Sequence, residues 1–168
     1  MSNESNLKLC YNEEKGGVPM NWFTKRLENI DVQTFYDIIA LRINVFIIEQ
    51  KCLYEELDYK DFKAMHLYAK DETQQIVAYL RILDPGVSYP EVSIGRVLVS
   101  PDKRALKMGR TLMEKGIQYV KEAYDQAPIR ISAQAYLLNF YQSLGFKVVS
   151  EIYLEDDIPH IEMLLDKY

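Results

Sequence analysis

A chain of 168 residues fits one domain with room for a sizeable core, and 48% hydrophobic against 27% charged residues excludes a disordered or fibrous protein. The formal charge of −5 argues against broad binding to nucleic acid or to an anionic membrane, both of which need a basic footprint, and it is compatible with a cationic small substrate. Cys10 and Cys52 form no zinc-like spacing and no secreted framework, and no apolar run approaches a membrane span or follows a cationic start, so a cytoplasmic protein is expected.

Residues 1–20 are polar and broken by Gly16, Gly17 and Pro19, which predicts a loosely ordered extension ahead of a single domain over residues 21–168. Alternation from Asn21 to Leu27 predicts a strand. Asp31 then caps a helix carrying Phe35, Ile38, Ile39, Arg42, Val45 and Phe46 at helical spacing. The stretch from Gln50 to Lys63 is charged and aromatic without a period, a loop of the kind that shapes sites. Met65 to Ala69 and Gln75 to Leu83 read as a hairpin closed by the polar residues 71–74.

From Glu91 to Val99 the apolar parity switches, with Val92 and Ile94 on one side and Val97 and Val99 on the other. This predicts either a bulge near Gly95 and Arg96 or, because Leu98 is also apolar, a strand buried on both faces. Leu106 to Tyr124 carries Met108, Leu112, Met113, Ile117, Val120 and Tyr124 along one helical stripe. A strand over Ile129 to Ala133 and a short helix from Tyr136 to Leu144 follow, the latter ended by Gly145. Phe146 to Ser150 and Ile158 to Leu164 are the last strands, separated by Glu155, Asp156 and Asp157. Hairpin first and strand–helix alternation later predict a mixed sheet flanked by helices.

Two stretches carry chemistry. The strand over Ile94 to Val99 feeds a basic turn with Arg104, Lys107 and Arg110 at the start of the long helix, where open amides and the helix dipole suit a phosphate or diphosphate. Downstream, Asn139 to Phe146 supplies the phenol of Tyr141.

Arg104 to Gly109, Asn139 to Phe146 and the order of elements together resemble the GNAT superfamily of acyl-CoA-dependent acetyltransferases, over Trp22 to the C-terminus. Val45 to Gln50, Ile94 to Val97 and Asp157 to Ile161 are similar to its ElaA-like branch. The resemblance implies an α/β fold of the mixed α+β kind: a central, mostly antiparallel sheet of six to seven strands, flanked by helices, with splayed central strands. It also implies an N-acetyltransferase that uses acetyl-CoA, releases CoA, and acts on a small-molecule or peptide amine by direct attack. No nucleic acid, membrane or metal is expected as partner, and edge strands of this fold make a homodimer possible. The cysteines lie outside the motifs, so no covalent intermediate is needed.

The same resemblance distributes roles. Arg104, Ala105, Leu106, Lys107, Met108, Gly109 and Arg110 would hold the diphosphate. Val97, Leu98 and Val99 would pair with the pantetheine arm, and the Leu98 amide would face the developing oxyanion. Tyr141 would give its proton to the departing thiolate, and Asn139 would touch the cofactor arm or face solvent. Lys107 stands where the superfamily pattern has its first glycine; with ordinary helical dihedrals it would keep the amide and add a cation. An alkylammonium must lose a proton before attack, and Glu49 is the preferred base over Glu91, His66 and His160. Arg42 would bind an acceptor carboxylate or pair with a nearby acid, and His160 would meet the acceptor or serve the structure. A non-catalytic acyl-CoA-binding sensor or interaction module is the alternative function. A third reading, acyl-homoserine lactone synthesis, rests on Arg42 to Phe46 alone.

Overall fold

The computed structural model describes residues 20–167, so the extension read over residues 1–20 lies, Met20 apart, outside the described residues. The elements are β1 (Asn21–Arg26), α1 (Val32–Arg42), β2 (Ala64–Lys70), β3 (Ile76–Leu83), β4 (Val92–Val99), α2 (Met108–Ala123), β5 (Ile129–Gln134), α3 (Leu138–Gln142), β6 (Lys147–Val148), β7 (Tyr153–Glu155) and β8 (Ile158–Leu165). They form one eight-stranded sheet in the order β1-β2-β3-β4-β5-β8-β6, with β7 also on β8. Every pairing is antiparallel except β4 with β5.

The eighth strand is β7, which was not expected from the sequence. It is three residues long and turns into β8 through Asp156 and Asp157, both at positive φ, as a two-residue hairpin loop requires. Asp residues tolerate that conformation, which is why an acidic pair can close the turn.

All of β3 is buried because helices cover both sides of the sheet there. On one side α2 lays Met108, Leu112, Met113 and Val120 against Leu80, Ile82 and Ile94. On the other, Ile38 of α1 and Val45 pack on Tyr68, Tyr79 and Leu98. The period-two pattern survives in β5 and β8, where Ile129, Ile131 and Ala133 face inward beside Ile161, Met163 and Leu165.

Two local features position the cleft. The α1 helix starts as expected, with Asp31 Oδ1 accepting from the Thr34 amide at 2.8 Å. Its α geometry ends at Arg42 and not beyond Phe46, because Ile43–Glu49 widens into a π-helical turn sealed by the Gln50 amide on the Val45 carbonyl. That run is crowded with β-branched side chains, which weakens its hold on α geometry. The second feature is the β4 bulge: Tyr79 faces Leu98 but Arg81 faces Gly95, so Arg96 and Val97 together oppose Leu80. Arg96 takes φ +53° to make the extra residue fit.

Beyond Val92–Ile129 and Ser93–Arg130 no pairing joins β4 to β5. The two central strands therefore part, as expected, and leave the far half of β4 with an open edge. Among the described residues no helix is long and apolar enough to cross a membrane.

Candidate active site

Where β4 and β5 part, a cleft of about 630 Å³ opens. Its lining comes from the far half of β4, the π turn, the 50–60 loop, the start of α3, and β8 with its hairpin. The bulge and the splay are thus the same event seen from two strands.

The ladder shows which backbone groups face this cleft. Hydrogen-bonded and non-hydrogen-bonded pairs alternate along antiparallel strands. The Ser100 amide donates to Val77 O at 2.8 Å, so Tyr79–Leu98 is the next hydrogen-bonded pair along. The Leu98 amide is therefore turned to Tyr79 and is not available as the oxyanion donor expected from the sequence. Val99, one residue on, points its amide and carbonyl to the open edge. Arg104 confirms that direction, since its Nε donates to Val99 O at 3.2 Å.

The basic turn is a 3₁₀ segment over Pro101–Leu106, and α2 begins at Met108, two residues later than expected. At the junction Lys107 holds φ 55° and ψ 19°, the left-handed region, and not the helical dihedrals expected of it. The reversal from one helical segment into the next demands that conformation, and it accounts physically for the glycine in the superfamily pattern. The Arg110 amide is used on Lys107 O at 3.0 Å, which leaves the first two amides of α2, those of Met108 and Gly109, without a carbonyl inside the helix. Of the residues expected to hold a diphosphate, Arg104 lines the cleft. Ala105 and Lys107 are exposed, Met108 buries its side chain, and Arg110 turns away to Glu114 and Ser143 in a separate groove beside α2.

Tyr141 lines the cleft and is 7% exposed, packed edge-on against Phe140 and Phe146. Burial, with a smaller effect from Tyr136, pushes its pKa well above the ordinary tyrosine value, so it stays protonated. Its hydroxyl makes no hydrogen bond among the described residues. Asn139, on the same short helix, is exposed and outside the cleft lining, which matches the solvent-facing reading.

The four base candidates separate cleanly. Glu49 lines the cleft, but Arg104 grips both its oxygens, at 2.6 and 2.9 Å, and those bonds hold its carboxyl below the usual range, which makes it a poor proton acceptor. Glu91 is gripped the same way by Arg130, at 2.9 and 2.8 Å, and lies outside the cleft. His66 is fully buried; its Nε2 donates to Asp61 O at 3.0 Å and its Nδ1 accepts from Tyr79 Oη at 2.7 Å, while burial lowers its pKa. His160 lines the cleft, and its Nδ1 lies 2.8 Å from Ile158 O. A carbonyl only accepts, so Nδ1 is the donor, and Nε2 is the ring nitrogen that this bond leaves unused.

Arg42 follows the acid-pairing reading. It is fully buried, its Nε donates to Glu56 Oε1 at 2.5 Å and its Nη1 to Asp61 Oδ1 at 2.9 Å, so it does not reach a substrate. Those bonds open onto a network that sequence reasoning missed. Arg81 donates to both oxygens of Asp58 at 2.7 Å and to Asp61 at 3.0 Å, and Arg96 stands beside Glu56 and Asp58. The signal was present: Arg81 and Arg96 interrupt apolar strands, and charges buried there must find partners among the acids of the 50–63 loop.

An open sheet split at its one parallel pair, with a helix N-terminus following the parted strand, defines the acyltransferase fold. Residues 31–167 match the family model described as an acetyltransferase (GNAT) domain. The chain is 41% identical over 143 residues to a UPF0039 protein of Schizosaccharomyces pombe, covering 84% of this chain and 94% of that one. It is 36% identical to the crystal structure of ElaA from Escherichia coli, with a TM-score of 0.81 over 87% of this chain and 99% of that one. An acyl-CoA N-acyltransferase from Pseudomonas aeruginosa is 40% identical, with a TM-score of 0.83 over the same shares. The chain belongs to the GNAT acetyltransferase family, on its ElaA-like branch.

Proposed function

We propose that this chain is an acetyl-CoA-dependent N-acetyltransferase that passes an acetyl group to a primary amine by direct attack in a ternary complex. Its own features fit such a cofactor: an unpaired strand edge at Val99 for an extended amide-bearing arm, and open helix amides at Met108 and Gly109 for a diphosphate. Bound acetyl-CoA supplies an activated acyl group with a thiolate as its leaving group. The Val99 amide, turned to the open edge, replaces Leu98 as the backbone donor to that arm. Arg104 keeps the Val99 carbonyl occupied and, through Glu49, ties the basic turn to the π turn across the cleft.

Tyr141 carries the reading. Its ring is buried, while its hydroxyl, which no described residue bonds, opens on the cleft, where a departing sulfur can take its proton. Its raised pKa keeps the proton on the phenol until it is needed, and the same burial raises the proton affinity of the thiolate it would meet. His160, whose Nδ1 is used on the Ile158 carbonyl, offers Nε2 to the acceptor amine as the proton acceptor of this reading.

Replacing Tyr141 with Phe is expected to lower turnover by roughly 10²- to 10⁴-fold while CoA affinity stays within a few-fold, measured by thiol release and calorimetry. Unchanged turnover would remove the acid role. CoA binding without CoA release from any amine would instead favour a binding module. His160→Gln should cost more turnover than Glu49→Gln; the reverse order would return the base to Glu49.

A further inference from the structure

We propose that Arg96 anchors a carboxylate on the acceptor, so that the substrate of this cleft is a carboxylate-bearing amine; this rests on the transferase reading above. Arg96 sits at the β4 bulge with φ +53°, a conformation that side-chain-bearing residues adopt rarely and that tends to mark functional positions. The bulge re-aims its side chain, which lines the cleft over the ring of Tyr54, 5.3 Å from the ring centroid to the guanidinium carbon.

Its donors distinguish it from the other two arginines of the network. Arg42 and Arg81 each make three hydrogen bonds. Arg96 makes none among the described residues. Its Nε lies 2.8 Å from Glu56 Oε2 but out of line for a hydrogen bond, and its Nη2 is 3.8 Å from Asp58 Oδ2. Glu56 bonds Arg42 through Oε1 and leaves Oε2 to the Arg96 ion pair, while Asp58 is committed through both oxygens to Arg81.

A half-buried planar fork whose Nε is ion-paired to Glu56 but whose two terminal amines make no hydrogen bond among the described residues can read a carboxylate through two parallel bonds. Lys60 lines the same cleft with its ammonium on Ser88 Oγ at 2.9 Å and adds a positive charge to this rim. Glu155 and Asp156 also line the cleft and suit the ammonium of the same substrate.

The test is a panel of free amino acids, including glycine, β-alanine and γ-aminobutyrate, each beside its carboxamide. Acetyl-CoA turnover is followed by thiol release, and binding by thermal shift with CoA present. For the preferred compound the carboxylate is expected to exceed its carboxamide at least about tenfold in kcat/KM, and Arg96→Gln to remove that ratio. Arg96→Lys, which keeps the charge but not the fork and guards against a folding defect, should leave a smaller ratio; thermal melts establish that both variants fold. Equal rates for carboxylates and carboxamides, or a ratio that survives Arg96→Gln, would overturn the proposal and leave the transferase reading standing. Binding of carboxylates that depends on Arg96, without turnover of any compound, would uphold the anchor and sink the transferase. Neither binding nor turnover across the panel would overturn both.

Discussion

At the scale of single residues, backbone conformation decides more of this site than side-chain identity. Leu98 and Val99 are adjacent apolar residues on one strand, and no property of either side chain says which amide faces the cleft. Ladder phase decides it, and phase becomes readable only once the bulge is located. The place of Tyr141 on the short helix beside the cleft and the Asp31 cap were legible because a motif or a local hydrogen bond defines them. Arg42 and Glu49 were not resolved by the sequence, because a charged residue at a suggestive position looks the same whether it meets a substrate or another charged side chain.

Lys107 gives the sharpest test at this scale. A residue with a Cβ pays in the left-handed region, and glycine does not. Part of the gain is returned, because glycine gives the unfolded chain more freedom. Lys107→Gly is therefore expected to raise stability by about 0.5–1 kcal/mol, measured by urea denaturation, with CoA affinity retained. A loss of stability would mean that Lys107 is held there by contacts that outweigh the strain.

At the scale of elements, period and punctuation made most strands, both longer helices and the β2–β3 hairpin legible. What escaped was short or depended on tertiary pairing: β7 exists as a three-residue partner of β8, and the π turn follows from local crowding that helical spacing alone does not register. The contact of α2 with the sheet was also only half visible. Its apolar stripe was plain, but Gly116 in the middle of that stripe reads as a weak point of the helix. In the structure it lets the helix approach the sheet, because a Cβ there would lie 2.8 Å from Leu80 Cδ2 and 3.4 Å from Ile94 Cδ1. Gly116→Ala should therefore destabilise by about 1–3 kcal/mol through overpacking, although alanine is the better helix former. A thermal melt unchanged or raised would show that Leu80 can swing aside within the core.

At the scale of the whole molecule, the wall of the cleft formed by the 50–63 loop is held by charge. Arg42 comes from α1, Arg81 from β3 and Arg96 from β4, and their partners Glu56, Asp58 and Asp61 all come from that one loop. A loop without apolar periodicity is thus fixed to three separate elements by three cations against three anions. Removing one partner leaves a buried charge exposed to the rest, so the network resists piecemeal loss.

Acid should dissolve it in a defined window. Burial alone would raise the Asp58 pKa, but the Arg81 hydrogen bonds and charge overcome it and bring the carboxyl down to about 2, from 3.8. A carboxyl depressed in the folded state contributes stability that is complete above its unfolded pKa and is lost as pH falls through the folded one. For Asp58 that contribution is on the order of 2 kcal/mol, present at neutral pH and lost between about pH 4 and pH 2. Asp58→Asn cannot take part in this titration. The stability gap between wild type and Asp58→Asn, measured by urea denaturation at stepped pH, should be widest near pH 7 and narrow steadily below about pH 4. A gap that stays constant down to pH 2.5 would mean that the Arg81–Asp58 pair contributes shape but no net electrostatic stability.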